Sequence, residues 1–251
     1  MGIFELKTDA EIRIMHEGGK KLSKIKEALL EQIRVGKNAN DVENLADILI
    51  QKAGGKPSFK MVPGYRWATC VNVNAGLVHG IPCKEVVFKE GDIVSVDLGI
   101  LYKGFHADSS FSEGIGLDKE MQKFLDVGKA ALQNAIKKCV SGGRIYDISG
   151  AIEKTVKAAE YEPIRALVGH GIGRNLHEDP QIPCFVPGDR KESMRIEKGM
   201  VLAIEVMYAK GKPDVYLDKD GWTISMRDGK MSGLFEETVA VTKNGPLCTT
   251  T

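Results

Sequence analysis

Four acidic residues interrupt stretches that are otherwise apolar or rich in β-branched side chains. Asp97 lies in Ile93–Leu101, Asp108 in Phe105–Phe111, Glu205 in Met200–Tyr208 and Glu236 in Phe235–Val241. Three of the five histidines can join them. His79 sits at the centre of a turn-like stretch, Gly76–Pro82, and His170 and His177 share the glycine-rich run Gly169–Pro180. A buried carboxylate is costly unless it is paired or bound to a cation. Separate salt bridges or turn caps for all four acids would require several independent coincidences, whereas a shared metal site accounts for them together. An oxygen-rich donor set with imidazole and no thiolate suits manganese, iron, cobalt or zinc. Two such ions, bridged by shared carboxylates about 3.5–4 Å apart, can hold an attacking water between them. The chemistry expected is hydrolysis: the ions lower the pKa of that water, a carboxylate takes its proton, and a metal and a histidine stabilise the tetrahedral oxyanion.

Neighbouring residues read more plainly. The Gly169-x-Gly171-x-Gly173 run lacks the spacing and the following lysine of a phosphate loop. Cys70 could be a nucleophile, but a small apolar pocket residue is the simpler role. His106 shares strand parity with Asp108, so ligand number, not facing, decides whether it joins the set. Glu178, Asp179 and Glu237 read as solvated neighbours. Lys20, Lys21, Lys24 and Lys26 read as the wet face of a helix, and His16 as a helix-surface residue.

These residues need elements to position them. Thr8 and Glu11 form a capping box, and Ile12, Met15, Leu22, Ile25, Leu29 and Ile33 recur at helical spacing up to a stop near Gly36. Gly18 and Gly19 lie inside this pattern. A second helix is expected from about Asn40 with Val42, Leu45, Ile48 and Leu49 as its stripe. Residues 56–66 read as loop, and Trp67–Asn74 as extended. Asp118 opens a third helix with Met121, Phe124, Leu125, Leu132, Ile136 and Val140 inward. A shorter helix follows on Ile148, Ile152 and Val156.

The strands of Asp97 and Asp108 form a hairpin. With Tyr102-Lys103 at the tip the two acids stand directly opposite. With Lys103-Gly104 at the tip Asp108 moves to the diagonal. In both cases they share one face, because side chains alternate along a strand. The order of helix, helix and acid-bearing strands occurs twice. It predicts an α+β fold of two similar halves around a shared sheet, and one domain over residues 1–251.

Composition is that of an ordinary soluble chain: 251 residues, 43% hydrophobic, 27% charged, net charge +1. Nothing in it points to nucleic acid. No apolar run approaches a membrane span, and no signal peptide is apparent. Five irregularly spaced cysteines with no CxxC pair fit a reduced, cytoplasmic chain without a structural zinc knuckle. The Met1-Gly2 start has Leu6 where a myristoylation signal needs Ser or Thr.

The combination GHGIGRNLHEDP, VSVDLG, HADSS, IEV and FEETV resembles the type I methionine aminopeptidases, and the resemblance runs from the first helix to the last strand. It implies a pita-bread fold, with two pseudo-symmetric halves and helices outside a curved antiparallel sheet. It also implies removal of the initiator methionine from nascent chains when the next residue is small. By the same resemblance Asp97, Asp108, His170, Glu205 and Glu236 hold two divalent ions, with Asp108 and Glu236 bridging. Glu236, not Glu237, fits because it follows Phe235 and lies two before Thr238. Glu205 doubles as proton shuttle, and His79 and His177 contact substrate and intermediate. Tyr65, Cys70, Leu176 and Trp222 line the methionine pocket, although core packing also explains Tyr65 and Trp222. A monovalent cation near Asn74 and Ser232 is implied as well. So is a monomeric state, with ribosome contact suited to the role but carried by no visible motif.

The chain departs from the family pattern at Val62-Pro63, Ala75 and Cys184-Phe185, which bears on pocket shape and substrate range. The short stretch between His170 and Glu205 matches the type I form, and Gly2 would permit removal of this chain's own Met1. Two rivals remain at this level: an X-Pro peptidase, which usually carries a large N-terminal domain, and a non-catalytic relative, which would have lost ligand-type side chains.

Overall fold

Thr8 opens the first helix as the spacing predicts. Its hydroxyl accepts from Glu11 N, and the Glu11 carboxylate accepts from Thr8 N at 2.8 Å. A computed structural model describes residues 5–251, so the Met1-Gly2 start lies outside the described residues. The helices are α1 (Asp9–Leu30), α2 (Ala39–Lys52), α3 (Lys119–Ile136) and α4 (Ile145–Ala158). In the first half the strands are β1 (Lys56–Pro57), β2 (Thr69–Val73), β3 (Gly76–Val78), β4 (Ile93–Tyr102) and β5 (Phe105–Gly114). In the second they are β6 (Glu162–Pro163), β7 (Val168–Gly171), β8 (Glu178–Pro183), β9 (Val201–Ala209), β10 (Val215–Leu217), β11 (Ile224–Met226), β12 (Ser232–Thr242) and β13 (Gly245–Cys248).

The main sheet runs β1-β4-β5-β12-β9-β7-β8, with β2 on β4, β6 on β9 and β13 on β12; β10, β11 and β3 form a small second sheet. The pairings are antiparallel. The order of helix pair, then acid-bearing strands, is present in both halves, and the fold is α+β. Each half has its own core. Leu22, Leu29 and Val42 pack on Val96 and Leu98 in the first, and Phe124, Leu125 and Ile148 pack with Ile204 and Val206 in the second.

Several expectations shift. Residues 56–66 are not all loop: β1 pairs with β4, and Phe59–Met61 form a 3-10 turn. The first helix stops at Leu30, ahead of Gly36. Ile48 is exposed, because the phase of α2 turns Val42, Ala46 and Ile50 inward. Val140 is exposed because α3 has already ended at Ile136. Gly18 and Gly19 are buried within α1, and a Cβ on Gly19 would lie 2.2 Å from Thr249 O. Gly19 lets α1 lie against the C-terminal residues, and Gly18 lets it lie against the Tyr102 side chain. The β4–β5 hairpin turns on Lys103 and Gly104, both at positive φ as a two-residue primed turn requires. Asp97 therefore faces Ser110, and Asp108 sits on the diagonal, opposite Gly99.

Among the described residues no helix is long and apolar enough to cross a membrane, and the five cysteines are free.

Candidate metal centre

Five adjacent strands each place one candidate donor on the same face of the sheet. In sheet order they are Asp97 on β4, Asp108 on β5, Glu236 on β12, Glu205 on β9 and His170 on β7. The register explains the convergence. Asp97 pairs with Ser110, Ser110 with Glu236, and Glu236 with Glu205, which makes one row across the sheet. Asp108 is two residues from Ser110. His170 pairs with Ala203, two residues from Glu205, so both keep the same facing. Donor atoms of Asp108, His170 and Glu236 lie within 4.8 Å of one another.

Burial acts on all four acids, and repulsion from their neighbours adds to it for Asp108, Glu205 and Glu236. Burial pushes Asp97 up to about 7. Asp108 is raised well above the usual carboxylate range by burial and by the charges of Asp97 and Glu205. Glu205 is raised by burial and Asp97, and Glu236 by burial, Asp108 and Glu205. His170 is held down to about 4, mainly by burial and further by His177, so its ring is neutral. Its Nδ1 lies 2.8 Å from Gly171 O, a group that only accepts. That bond puts the proton on Nδ1 and leaves Nε2 as a lone-pair donor, the arrangement of a metal-ligating histidine. Asp97 Oδ1, Ser110 Oγ and Glu236 Oε1 are buried without a hydrogen-bond partner among the described residues. Orphaned oxygens, clustered acids and one oriented neutral imidazole fit a divalent-metal site.

The Gly169–Pro180 run folds as β7 and the turn into β8. A Cβ at Gly171 would lie 2.1 Å from Asp179 O, and one at Gly169 would lie 2.6 Å from Ala203 O, so the close strand approach depends on glycine. The turn brings the His177 ring to 4.6 Å from the His170 ring, edge to face. His79 follows β3 in a left-handed conformation at φ 59°, an uncommon state for a residue with a side chain. Gly80 N, donating to Asn72 Oδ1 at 2.9 Å, fixes that bend. Burial lowers the pKa of both His79 and His177.

A cavity of about 140 Å³ lies beside the donors, lined by Phe59, Val62, Tyr65, Cys70, Leu176 and Trp222 together with His79 and His177. Tyr65 meets Trp222 edge-on at 5.1 Å and donates to Thr69 O at 2.8 Å. Cys70 is the cross-strand partner of Asp97. Burial raises its thiol pKa, which argues against a nucleophile. A wider groove of about 520 Å³ opens on the other side, past Val78, Leu167, Val168, Gln181 and Met207. Asp97, Glu205, His79, His170 and His177 border both spaces.

Phe59 and Val62 line the cavity from a segment that reads as loop; Val62 is one of the departures from the family pattern. Cys184 donates its thiol to Glu205 O at 3.3 Å, behind a donor strand, and Arg165 stacks on Phe185. His106 stays out of the cluster: its Nδ1 lies 2.9 Å from Ser58 Oγ, and burial lowers it to about 4. Three expectations of solvation are overturned. Glu178 is buried and ion-paired with Lys7, while Glu237 is paired with Lys26, which leaves the wet face of α1 to reach it. Their signals, a lysine and an acid 171 and 211 residues apart, are invisible to local patterning.

The profile of "Metallopeptidase family M24" matches residues 13–243. The chain is 39% identical over 240 residues to methionine aminopeptidase 1 of Bacillus subtilis, covering 95% of this chain and 96% of that protein. It superposes on the crystal structure of methionine aminopeptidase from Thermotoga maritima with a TM-score of 0.95 and 41% identity, covering 99% of each chain. Prolidase from Pyrococcus furiosus shares the fold alone, with a TM-score of 0.77 at 22% identity, and the match spans 65% of that longer chain.

Proposed function

The chain belongs to metallopeptidase family M24 and has its pita-bread fold, and we propose that it is a metal-dependent aminopeptidase that removes the initiator methionine from new chains when the second residue is small. One observation carries the substrate reading. A small apolar cavity and an open groove meet at the donor cluster, so a first side chain can be enclosed while the rest of a peptide leads away. The cavity is flanked by a thiol and aromatic rings, which suit the polarizable thioether of methionine.

In this reading Asp97, Asp108, His170, Glu205 and Glu236 would hold two divalent ions, Asp108 and Glu236 serving both. Oxygen donors with one imidazole are compatible with cobalt, manganese, iron or zinc. When bound, the ions supply Lewis acidity and a water of lowered pKa. Tyr65, Cys70, Leu176 and Trp222 hold the methionine side chain and fix the scissile carbonyl over the acids. Glu205 takes the proton released in the attack and returns it to the leaving amine. His79 and His177, at the border of cavity and groove, donate to the carbonyl oxygen as it gains charge.

The same reading implies a cytoplasmic, monomeric enzyme working on chains as they leave the ribosome. A monovalent cation beside Asn74 and Ser232 belongs to it too. There the carbonyls of Asn74 and Gly76 converge on Ser232 Oγ at 2.9 and 3.0 Å. The test is release of methionine from Met-Ala-Ser by chelated enzyme, before and after adding each of the four metals, with Ala-Pro-Ser alongside. Metal-dependent release from the first peptide alone is expected. No methionine release with any metal overturns the proposal, and cleavage of Ala-Pro-Ser redirects it to X-Pro peptides.

A further inference from the structure

The two halves of the sheet meet at β5 and β12, the strands that carry Asp108 and Glu236. Regular pairing there is short, with only Ser110 opposite Glu236 and Ser109 opposite Glu237. Beyond these pairs, side-chain hydroxyls take over from the backbone ladder. Thr238 Oγ1 accepts from Asp108 N at 2.9 Å and donates to Asp108 O at 2.7 Å. At the other end, Ser112 Oγ donates to Leu234 O at 2.8 Å and accepts from Leu234 N at 3.0 Å. The seam between the halves is thus held by inserted hydroxyls on either side of the donors.

Behind this seam, on the face turned to α1, lies a partly buried ionic cluster. Lys26 Nζ reaches 2.5 Å from Glu237 Oε1 and 2.8 Å from Ser109 Oγ, each next in sequence to a donor. Ser109 Oγ is 3.0 Å from both Glu236 O and Glu237 Oε2, sharing its one proton between them. The Thr250 hydroxyl also donates to Glu237, and Thr250 Oγ1 accepts from Thr238 N at 3.0 Å. One ammonium therefore ties α1, β5, β12 and the C-terminal residues at the joint. A largely desolvated ion pair of this kind need not add net stability, but loss of one partner strands the other's charge.

We propose that Lys26 is a positioning residue that sets the spacing of Asp108 and Glu236 by clamping Ser109 and Glu237 from the back of the sheet. The inference rests on the reading that those two carboxylates are shared by the metal ions. Without the clamp, Glu237 moves toward solvent, the seam widens, and the shared carboxylates lose the separation that holds two ions. The affinity of the metal pair falls while the apolar cavity, built from other elements, keeps its shape.

The test is calorimetric titration of the chelated full-length protein with Co²⁺ and with Mn²⁺, alongside kcat and KM for Met-Ala-Ser and the melting temperature. Groups that orient metal ligands typically contribute about 10–100-fold in affinity. Lys26→Met is expected to weaken binding of at least one ion by a factor in that range, with KM near that of the parent. Lys26→Arg should recover most of the affinity, because it restores a cation at the clamp. Should Lys26→Met not fold, Ser109→Ala and Lys26→Arg read the same quantity, and Ser109→Ala should weaken binding by a smaller factor. A lower melting temperature with unchanged metal affinity in these variants overturns the proposal. Asp108→Asn separates the two levels. If it loses an ion while the Lys26 and Ser109 variants do not, the ligand reading stands and the clamp falls. If it binds as the parent does, both fall.

Discussion

Glu236 stands directly opposite Glu205 across the β9–β12 pair, and both carboxylates face Asp97 and Asp108. Directly opposed like charges destabilise a sheet, so this row is a cost to folding unless a cation neutralises it or protons do. The sign follows from the shifts. Asp97 rises from 3.8 to about 7 in the folded chain, and the other three acids also rise, mainly through burial. Between the unfolded and folded values the folded state binds more protons, so stability falls as pH rises. In chelated protein the acids' contribution is intact below about pH 4 and is lost as pH climbs through about 7 and beyond.

The expected outcome is a melting temperature of chelated protein that falls from pH 5 to pH 8 relative to the metal-loaded form, whose slope is shallower. Each 1 kcal/mol lost lowers the midpoint by roughly 2–4 °C in a chain of this size. Thermal melts at matched ionic strength check it. Parallel slopes with and without metal would contradict the electrostatic account.

His170 and His177 touch edge to face yet are assigned different work. His170→Ala removes a donor whose tautomer is fixed by Gly171 O, and should lose metal and activity together. His177→Ala should keep metal stoichiometry and lose roughly 10²–10³ in kcat, the cost of removing one donor to a developing oxyanion. Metal analysis of the dialysed variants beside steady-state kinetics separates the two. Equal metal loss in both variants would refute the division.

What is legible in the sequence depends on how far apart the partners are. An acid inside a β-branched run contradicts its surroundings, and strand parity alone puts Asp97 and Asp108 on one face. The hairpin tip, and with it the diagonal placement, needs the backbone of Lys103 and Gly104, since two registers satisfy the same pattern. Helical spacing finds α1 to α4, but not that Ile48 turns outward or that α3 stops before Val140. Lys26 and Glu178 are misread for one reason. A charge on a helix or in a glycine-rich turn looks solvated until tertiary packing brings its counter-ion from a distant segment. Gly18 and Gly19 interrupt the apolar pattern of α1 for the same reason, because what needs their missing side chains, the Tyr102 ring at Gly18 and the Thr249 backbone at Gly19, comes from distant segments.

Gly19 provides a stability test away from the chemistry. A methyl group there would overlap Thr249 O, a backbone atom fixed by Thr249 N donating to Thr238 O at 2.8 Å. Gly19→Ala gains helix propensity but forces α1 and the C-terminal residues apart, and such overpacking typically costs about 1–3 kcal/mol. A melting temperature lower by several degrees is expected, read by calorimetry. In Gly36→Ala nothing crowds the site, but φ is +84°, so any loss there comes from backbone strain alone. A Gly19→Ala variant as stable as the parent would show that the close approach is dispensable.

The apolar cavity makes the last prediction. Leu176 precedes His177 and is buried against the Tyr65 and Trp222 group, so in the proposed reading its side chain would meet the first residue of a peptide without serving as a metal ligand. Leu176→Ala enlarges the cavity, and each methylene left without contact in such a pocket is worth about 1–3 kcal/mol of discrimination. The expected result is a fall of at least about tenfold in kcat/KM for Met-Ala-Ser, carried mainly by KM. Metal content should not change. Bulkier first residues should gain relative to methionine, because the truncation adds space to the cavity. Kinetics on a peptide series varied only at the first position measure both effects. If methionine keeps its advantage and its KM, the cavity is not what reads the first residue, and the groove lined by Leu167, Val168 and Gln181 becomes the place to look.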